Sequence, residues 1–551
     1  DLRTGSCSAC TGGASGCLGA TECLSSPTFS CTTAVSTHVQ LNALIATNGV
    51  VNFVNDILLT MGTTKASYNT GIVVSAVTGL EMFGHGFTID AQSSRRIFYA
   101  ELSSTVTLTD MTLKNAFISS WHGAAIYVSS SVVTLNTVTV KDNTCNSCNG
   151  GGVYVTGTAA KIVTLSSLFQ NNKGNSNGYG GAVHMLAGTI GEFTSTTFNL
   201  NTAQLGGAAI YTLTACTLTL TSCTVSSNTV AGGSSGAIWV GSSSGASITT
   251  VTMTDTVVRD NTASTFAGGM QADAYASLTF VRSTFYKNMA NGGHGGGLYL
   301  GNYVTMTTSD SLWDENTASS YGGGIFCGSY LTYTSTNTMF SHNFGYYGGG
   351  LFLNTYDTVT LNGTTFFSNT GRYGGGGVYV GDSNAFSMTD CNVTGNAVTV
   401  ANHGGGVYAT GAWSDLQITT SFFNNNRAFT SGLGGAFFVN SQTTQLHLTG
   451  NSFYDNFASS GNDVYGGFVV PKSLCSDGRY NAGSGTLNSA QTASSDIIPS
   501  DLMTGSCFKC NPKWSSGCYG ATICLAPRFS CLTAVSTHVQ LNALLGSDRV
   551  I

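Results

Sequence analysis

The 551-residue sequence predicts an all-β fold, a parallel β-helix with three strands per rung and about 28 residues per rung, on two observations. The first is a motif that keeps returning: a glycine doublet followed by apolar, aromatic and apolar residues, then some twenty residues on a bulky residue three places before an asparagine. The asparagines are Asn143, Asn172, Asn201, Asn228, Asn261, Asn288, Asn316, Asn343, Asn369, Asn396, Asn426 and Asn456, so eleven intervals span 456 − 143 = 313 residues, about 28 each. Units of this size cannot bury their own apolar face and must stack on their neighbours, which is the logic of a solenoid. The second observation is composition. Helical repeats need strong helix formers, whereas this chain has 71 glycines, abundant Thr, Ser, Val and Tyr, and only 8% charged residues.

One rung shows the elements in order. Gly295–Asn316 reads "GGGLYLGNYVTMTTSDSLWDEN", three short runs of alternating apolar and polar residues separated by Gly, Asn, Ser and Asp turn chemistry. The glycine pair is expected where the chain turns with positive φ and neighbouring rungs leave no space for a Cβ. The asparagine suits a left-handed turn, and stacked asparagines can pass amide hydrogen bonds along the axis. The bulky residue three places earlier (Phe169, Phe198, Phe285, Trp313, Phe340, Phe366, Phe423, Phe453) is expected to fill the interior beside that corner. Twelve such rungs and two earlier ones predict a rod of roughly 65–70 Å at a strand spacing of ~4.8 Å.

The pairing of the glycine motif with Phe-x-x-Asn resembles the repeats of chlamydial polymorphic outer-membrane proteins and related right-handed β-helix proteins of the pectin-lyase-like superfamily. The resemblance runs from about Ser75 to Val470 and implies a right-handed coil. Function does not follow from it, because the superfamily includes adhesins, secreted passengers, structural proteins and polysaccharide-cleaving enzymes. Unlike the bacterial family, nothing here reads as an outer-membrane barrel.

The division expected along the chain is a Cys-rich module at 1–33, a helical cap at 34–47, the β-helix at 48–470, a linker or C-terminal cap at 471–500, a second Cys-rich module at 501–533, and at 534–551 a helical cap leading into a further β-helix. The cap rests on Thr37-His38-Val39-Gln40, which has capping-box spacing, and on an apolar stripe of Val39, Leu41, Leu44 and Ile45. Its expected task is to cover the unpaired strands at the rod's open end. Residues 1–44 return at 501–544, with eleven identical residues at Ala34–Leu44 and Ala534–Leu544. That is a tandem unit of about 500 residues, so the chain reads as a window on a longer polypeptide or a processed piece of one.

Cysteine positions support the same reading. Cys7, Cys10, Cys17, Cys23 and Cys31 form an odd set of five, while Cys507, Cys510, Cys518, Cys524 and Cys531 become six with Cys475. Six fits three disulfides, and the first module's missing partner is expected upstream or on a neighbouring molecule. Zinc is the competing reading of Cys7-x-x-Cys10, but no second pair completes a site. Cys145-x-x-Cys148 reads as a local bridge and Cys327 as a buried thiol. Disulfides imply an oxidising, extracellular setting, and Asn362 and Asn392 stand in N-glycosylation patterns.

A candidate partner surface comes from the strand after each glycine doublet. Its first position is apolar and expected inward, so the next should point out. That position holds Tyr127, Tyr154, Tyr211, Trp239, Tyr299, Phe326, Phe352, Tyr379, Tyr408 and Phe438, interrupted by His184 and Gln271. Self-stacking at ~4.8 Å is one reading. The other is an interface, since so long a stripe would exceed what a lone protein normally exposes, and it is then covered by another protein segment, a second rod or glycans.

Other chemistry is sparse. Gly84-His85-Gly86 matches a tripeptide of polygalacturonases, yet no paired aspartates accompany it. Asp142, Asp260 and Asp455 share a column on distant rungs, and Asp310, Asp314 and Glu315 read as a solvated turn. No enzyme, cofactor or metal is expected. A net charge of −6 without a basic face excludes a nucleic-acid partner, and no apolar run is long enough for a helical membrane span. The functional expectation is an extracellular structural protein whose partner is itself, head to tail in a fibre, cell-surface hair or coat. The alternative is an adhesin binding glycans or proteins through the aromatic ladder, and further behind a polysaccharide lyase or hydrolase.

Overall fold

Glycine, threonine and asparagine at fixed spacing fold this chain into one continuous coil of stacked parallel strands. The computed structural model describes residues 37–59 and 70–469, apart from a few positions within loops, together with strands Thr33–Val35 and Thr486–Leu487. The cysteine modules, Cys475 and the second helical cap lie outside the described residues. In the rung quoted above, Leu298–Leu300 enters sheet I, Thr305–Ser309 sheet II and Leu312–Asp314 sheet III. Sheets I and III each hold fifteen strands, which makes fifteen layers. Fourteen steps of ~4.8 Å give a rod of about 67 Å.

A rung has four strands, not three, through most of the rod. Thr317–Ala318 pairs below with Met289–Ala290 in a twelve-strand sheet IV, between the asparagine and the next glycines. Two residues are too few to show alternation, so only register with the neighbouring rungs reveals this strand.

Alternation sets the core. In Thr305–Ser309, Met306 and Thr308 are buried and Thr305 and Thr307 exposed. Inside the sheet III corner the bulky residues stack on one another: Phe285 on Trp313 at 5.3 Å, Trp313 on Phe340 at 5.2 Å, Phe340 on Phe366 at 4.8 Å.

The asparagines beside them form an unbroken ladder. Asn288 Nδ2 donates to Asn316 Oδ1 at 3.0 Å, and Asn316 Nδ2 to Asn343 Oδ1 at 3.0 Å. The series runs from Asn143 to Asn456 with every such link at 2.9–3.0 Å. Each also reaches backbone: Asn316 Nδ2 donates to Phe285 O, and its Oδ1 accepts the Asn288 amide. Asparagine itself is not the left-handed residue, as the sequence suggested. That conformation belongs to the residue before it, as at Lys287 (φ 52) and Glu315 (φ 52), which frees the asparagine side chain to point inward.

The glycine motif likewise divides its work. Gly295 takes positive φ (68), while a Cβ on the following Gly296 would sit 2.5 Å from Gly323 O. At the N-terminal end the helix His38–Ala43 carries the expected capping box, Thr37 with Gln40. Leu41 enters the core and Leu44 and Ile45 pack against it, but Val39 is exposed, because a helix this short presents only one turn to the rod.

Candidate functional site

The aromatic column stands where alternation places it, outside the core. Ile126 and Val128 flank Tyr127 and are fully buried in the core, and the strands align ring over ring. Tyr99 stacks on Tyr127 at 4.9 Å, Tyr154 on His184 at 4.9 Å, and Tyr299 on Phe326 at 5.0 Å. Phe326 continues to Phe352 and Phe352 to Tyr379. Tyr379, Tyr408 and Phe438 follow with tilted or edge contacts, and Tyr465 stacks on Phe438 at 5.8 Å.

The column is not an exposed stripe, and here the expectation needs correction. Tyr154, Tyr211, Phe326, Phe352, Tyr408 and Phe438 are buried, and Tyr127, Trp239, Tyr299 and Tyr379 half-buried. The cover comes from this chain. A second row of rings stands immediately before the left-handed residue of the glycine turn and folds over the first: His122 on Tyr154 at 4.4 Å, Tyr179 on Tyr211 at 4.7 Å, Phe266 on Tyr299 at 5.2 Å. His294 lies on Phe326, Tyr321 on Phe352, and His403 on Phe438. Sequence reasoning missed this row, although its signal is regular: His122-Gly123, Tyr179-Gly180, His294-Gly295, Tyr321-Gly322, Tyr347-Gly348 and His403-Gly404 all precede the turn by one residue.

The histidines of that row have a defined state. The Nδ1 atoms of His122, His294 and His403 accept the amide N–H of Asn149, Tyr321 and Leu433 on the next rung. Burial lowers the pKa of all three, helped at His122 by Arg96. His184, enclosed between Tyr154 and Tyr211, is pushed down to about 3 by burial. At the foot of the column the buried Arg96 donates to Gly123 O and His122 O and lies over the rings of Tyr127 and Tyr99. Where Gln271 interrupts the rings, Asp273 accepts from Trp239 Nε1 at 2.8 Å and Gln271 Nε2 at 2.8 Å.

The remaining candidates scatter. Cys145 and Cys148 are disulfide-bonded. Cys327 is buried and its thiol pushed up by burial, as are Cys216, Cys223 and Cys391. Asn362 and Asn392 are exposed at one corner on adjacent rungs, accessible to a glycan. Asp142, Asp260 and Asp455 occupy left-handed turns. Asp314 is buried, not solvated: Ser341 Oγ donates to it at 2.7 Å and His342 Nδ1 lies 3.0 Å away, while Glu315 turns outward to Lys287. His85 sits in a left-handed turn with Nε2 2.6 Å from Asn52 Oδ1. Among the described residues no group of three or more His, Cys, Asp or Glu is placed to hold a metal ion, and no helix is long and apolar enough to cross a membrane.

A family described as a right handed beta helix region matches residues 251–423, the stretch in which the asparagine ladder, the interior rings and both outer rows are all present. The chain is a right-handed parallel β-helix repeat protein. No curated protein matches its sequence. What distinguishes this β-helix is therefore read from its own surfaces, and its longest candidate surface is a double layer of rings sealed by the chain itself.

Proposed function

We propose that this β-helix is the rigid unit of an extracellular structural protein, joined head to tail with further copies of itself in a fibre, surface hair or coat. One observation carries the reading. The segment Ala34–Leu44, which supplies the end strand and the capped helix whose Leu41 seats in the core, is repeated without change at Ala534–Leu544. A sequence that starts one rod is thus present where the next would start. The uninterrupted asparagine ladder supports stiffness, since bending a rod of this kind would strain a chain of buried amide bonds. The cysteine modules and the exposed Asn362 and Asn392 favour an oxidising, glycosylating compartment.

The adhesin alternative asked for open rings on the main aromatic column, of which six are buried and four half-buried. The proposal is tested on the complete reading frame and on the particle. Further copies of "AVSTHVQLNAL" at about 500-residue spacing, and straight segmented filaments with one unit per axial repeat in electron microscopy, are expected. A single unit in the frame together with dispersed rods that never associate end to end would overturn it.

A further inference from the structure

The turn from sheet I to sheet II carries another set of rings, and these are open to solvent. Two residues before the register-aligned start of each sheet II strand stand Tyr275, Tyr303, Tyr330 and Tyr356 on successive rungs. All four have left-handed backbone, φ 62, 58, 60 and 59, in a column where lower rungs use Ser103, Ser130, Ala159, Gly188 and Ala215 in that conformation and Ile248 outside it. Bulky residues rarely accept that conformation, and small ones would serve the turn at less strain. The rings stack nearly parallel, at 4.9 Å and 7°, 5.1 Å and 11°, and 4.9 Å and 4°. Tyr303, Tyr330 and Tyr356 are 46, 49 and 54% exposed.

The stack then skips a layer. Ser383 (φ 56) occupies the next rung, and Trp413 (φ 63), 75% exposed, the one beyond. The Ser383 amide donates to Ala412 O, as the Tyr356 amide donates to Asp382 O, so the column is continuous in backbone while one ring is missing. Tyr330 covers one face of Tyr356; the other face looks onto the empty layer. The result is a notch one ring thick, with Tyr356 as floor, Ser383 as back wall and Trp413 on the rung above. Its polar groups are Ser383 itself and Asp382, whose Oδ1 accepts the Ala412 amide at 2.9 Å, while Thr443, which accepts the Trp413 amide, stands a rung beyond the tryptophan.

We propose that this notch binds one pyranose ring of a neutral glycan. An aromatic face is electron-rich and attracts the polarised C–H groups on the flat side of a sugar, while the Ser383 hydroxyl and the second carboxylate oxygen of Asp382 take the sugar's hydroxyls. A pyranose inserted at Ser383 occupies the layer that the missing ring leaves. The Asp382 carboxylate disfavours an anionic sugar and a nucleotide phosphate alike. This inference stands apart from the rod proposal, since a free unit and a polymer present the same notch.

The test uses the full chain and calorimetric titration with β-1,4- and β-1,3-linked gluco-oligosaccharides and chito-oligosaccharides, with acidic oligogalacturonides and a nucleoside monophosphate as contrasts. At least one neutral series is expected to bind and to change tryptophan emission in a way lost in Trp413→Ala. Ser383→Tyr, which completes the stack and fills the notch, is expected to weaken binding at least tenfold while the melting temperature holds or rises. Trp121→Ala, at a distant exposed tryptophan, should bind like the parent chain. Failure of every neutral oligosaccharide to bind, undiminished binding by Ser383→Tyr, or preference for the acidic sugar or the nucleotide would each overturn the proposal.

Discussion

Two columns run the length of this rod, and they obey different rules. The inner corner repeats asparagine on twelve successive rungs from Asn143 to Asn456 without a single replacement. The outer column repeats an aromatic residue but tolerates His184 and Gln271. A buried amide must have every donor and acceptor met, and in this corner the asparagine one rung on does so, with Asp463 taking that place at the end of the series. An outward ring asks only to be flanked and covered, which a histidine can satisfy by stacking and a glutamine by bonding to Asp273. The lesson is that repetition is strictest where geometry and hydrogen bonding are both fixed, and looser where contact area alone matters.

The sharpest way to break that contrast is Asn316→Leu. It takes the side-chain acceptor from the Asn288 amide and the side-chain donor from the Phe285 carbonyl, and leaves the Asn288 side chain with Val258 O alone as acceptor, so the expected cost is about 2–6 kcal/mol, two orphaned buried groups. Chemical denaturation should show it, and an effect under about 1 kcal/mol would remove the ladder from the account of stability. Next, Trp313→Ala opens a cavity in the inner stack and should cost about 3–5 kcal/mol. Trp313→Phe should cost under about 1.5 kcal/mol, because the buried Nε1 has no hydrogen-bond partner to lose.

Acid should separate the two columns as well. His122, His184, His294 and His403 have folded pKa values below the unfolded one, so the unfolded chain binds more protons as pH falls. Their contribution is complete above about pH 6.5 and declines below it. His342, raised by its bond to Asp314, runs the other way: its contribution is full below that pH and lost as pH rises through the folded value. Hydrogen exchange at pH 7.5 and pH 5 is expected to show faster opening at the amides of Asn149, Tyr321 and Leu433, with the asparagine ladder unchanged.

Smaller still, Tyr299→Ala in the outer column should cost about 1–2 kcal/mol, since the ring is half-buried and its neighbours can close over it. A loss equal to that of Trp313→Ala would show that the outer rows are as tightly fixed as the core. Least affected is chemistry at the buried thiols: Cys216, Cys223, Cys327 and Cys391 should resist alkylation in the native protein and react on denaturation, as mass mapping would read.

Most of the rod could be read from its sequence because each structural role recurs at the same step. The period, the inner stack at Phe285 and Trp313, the asparagine ladder and the capping box at Thr37 and Gln40 all have local signatures. The fourth strand at Thr317–Ala318 did not, since two residues carry no alternation. The outer rows were read by half: the position of Tyr299 was legible, its burial was not, because the ring that covers it, Phe266, belongs to the turn of the rung before.

The notch at Ser383 shows the same division. Tyrosines at Tyr275, Tyr303, Tyr330 and Tyr356 are visible in the sequence as isolated letters in turns, and only stacking of successive rungs brings them into one column with a layer missing. Composition and period determined that the chain coils into stacked parallel strands, since alternation and turn chemistry act within a few residues. Which rings are sealed and which remain open was decided by the tertiary structure, because coverage depends on side chains about 28 residues apart meeting across a ~4.8 Å step.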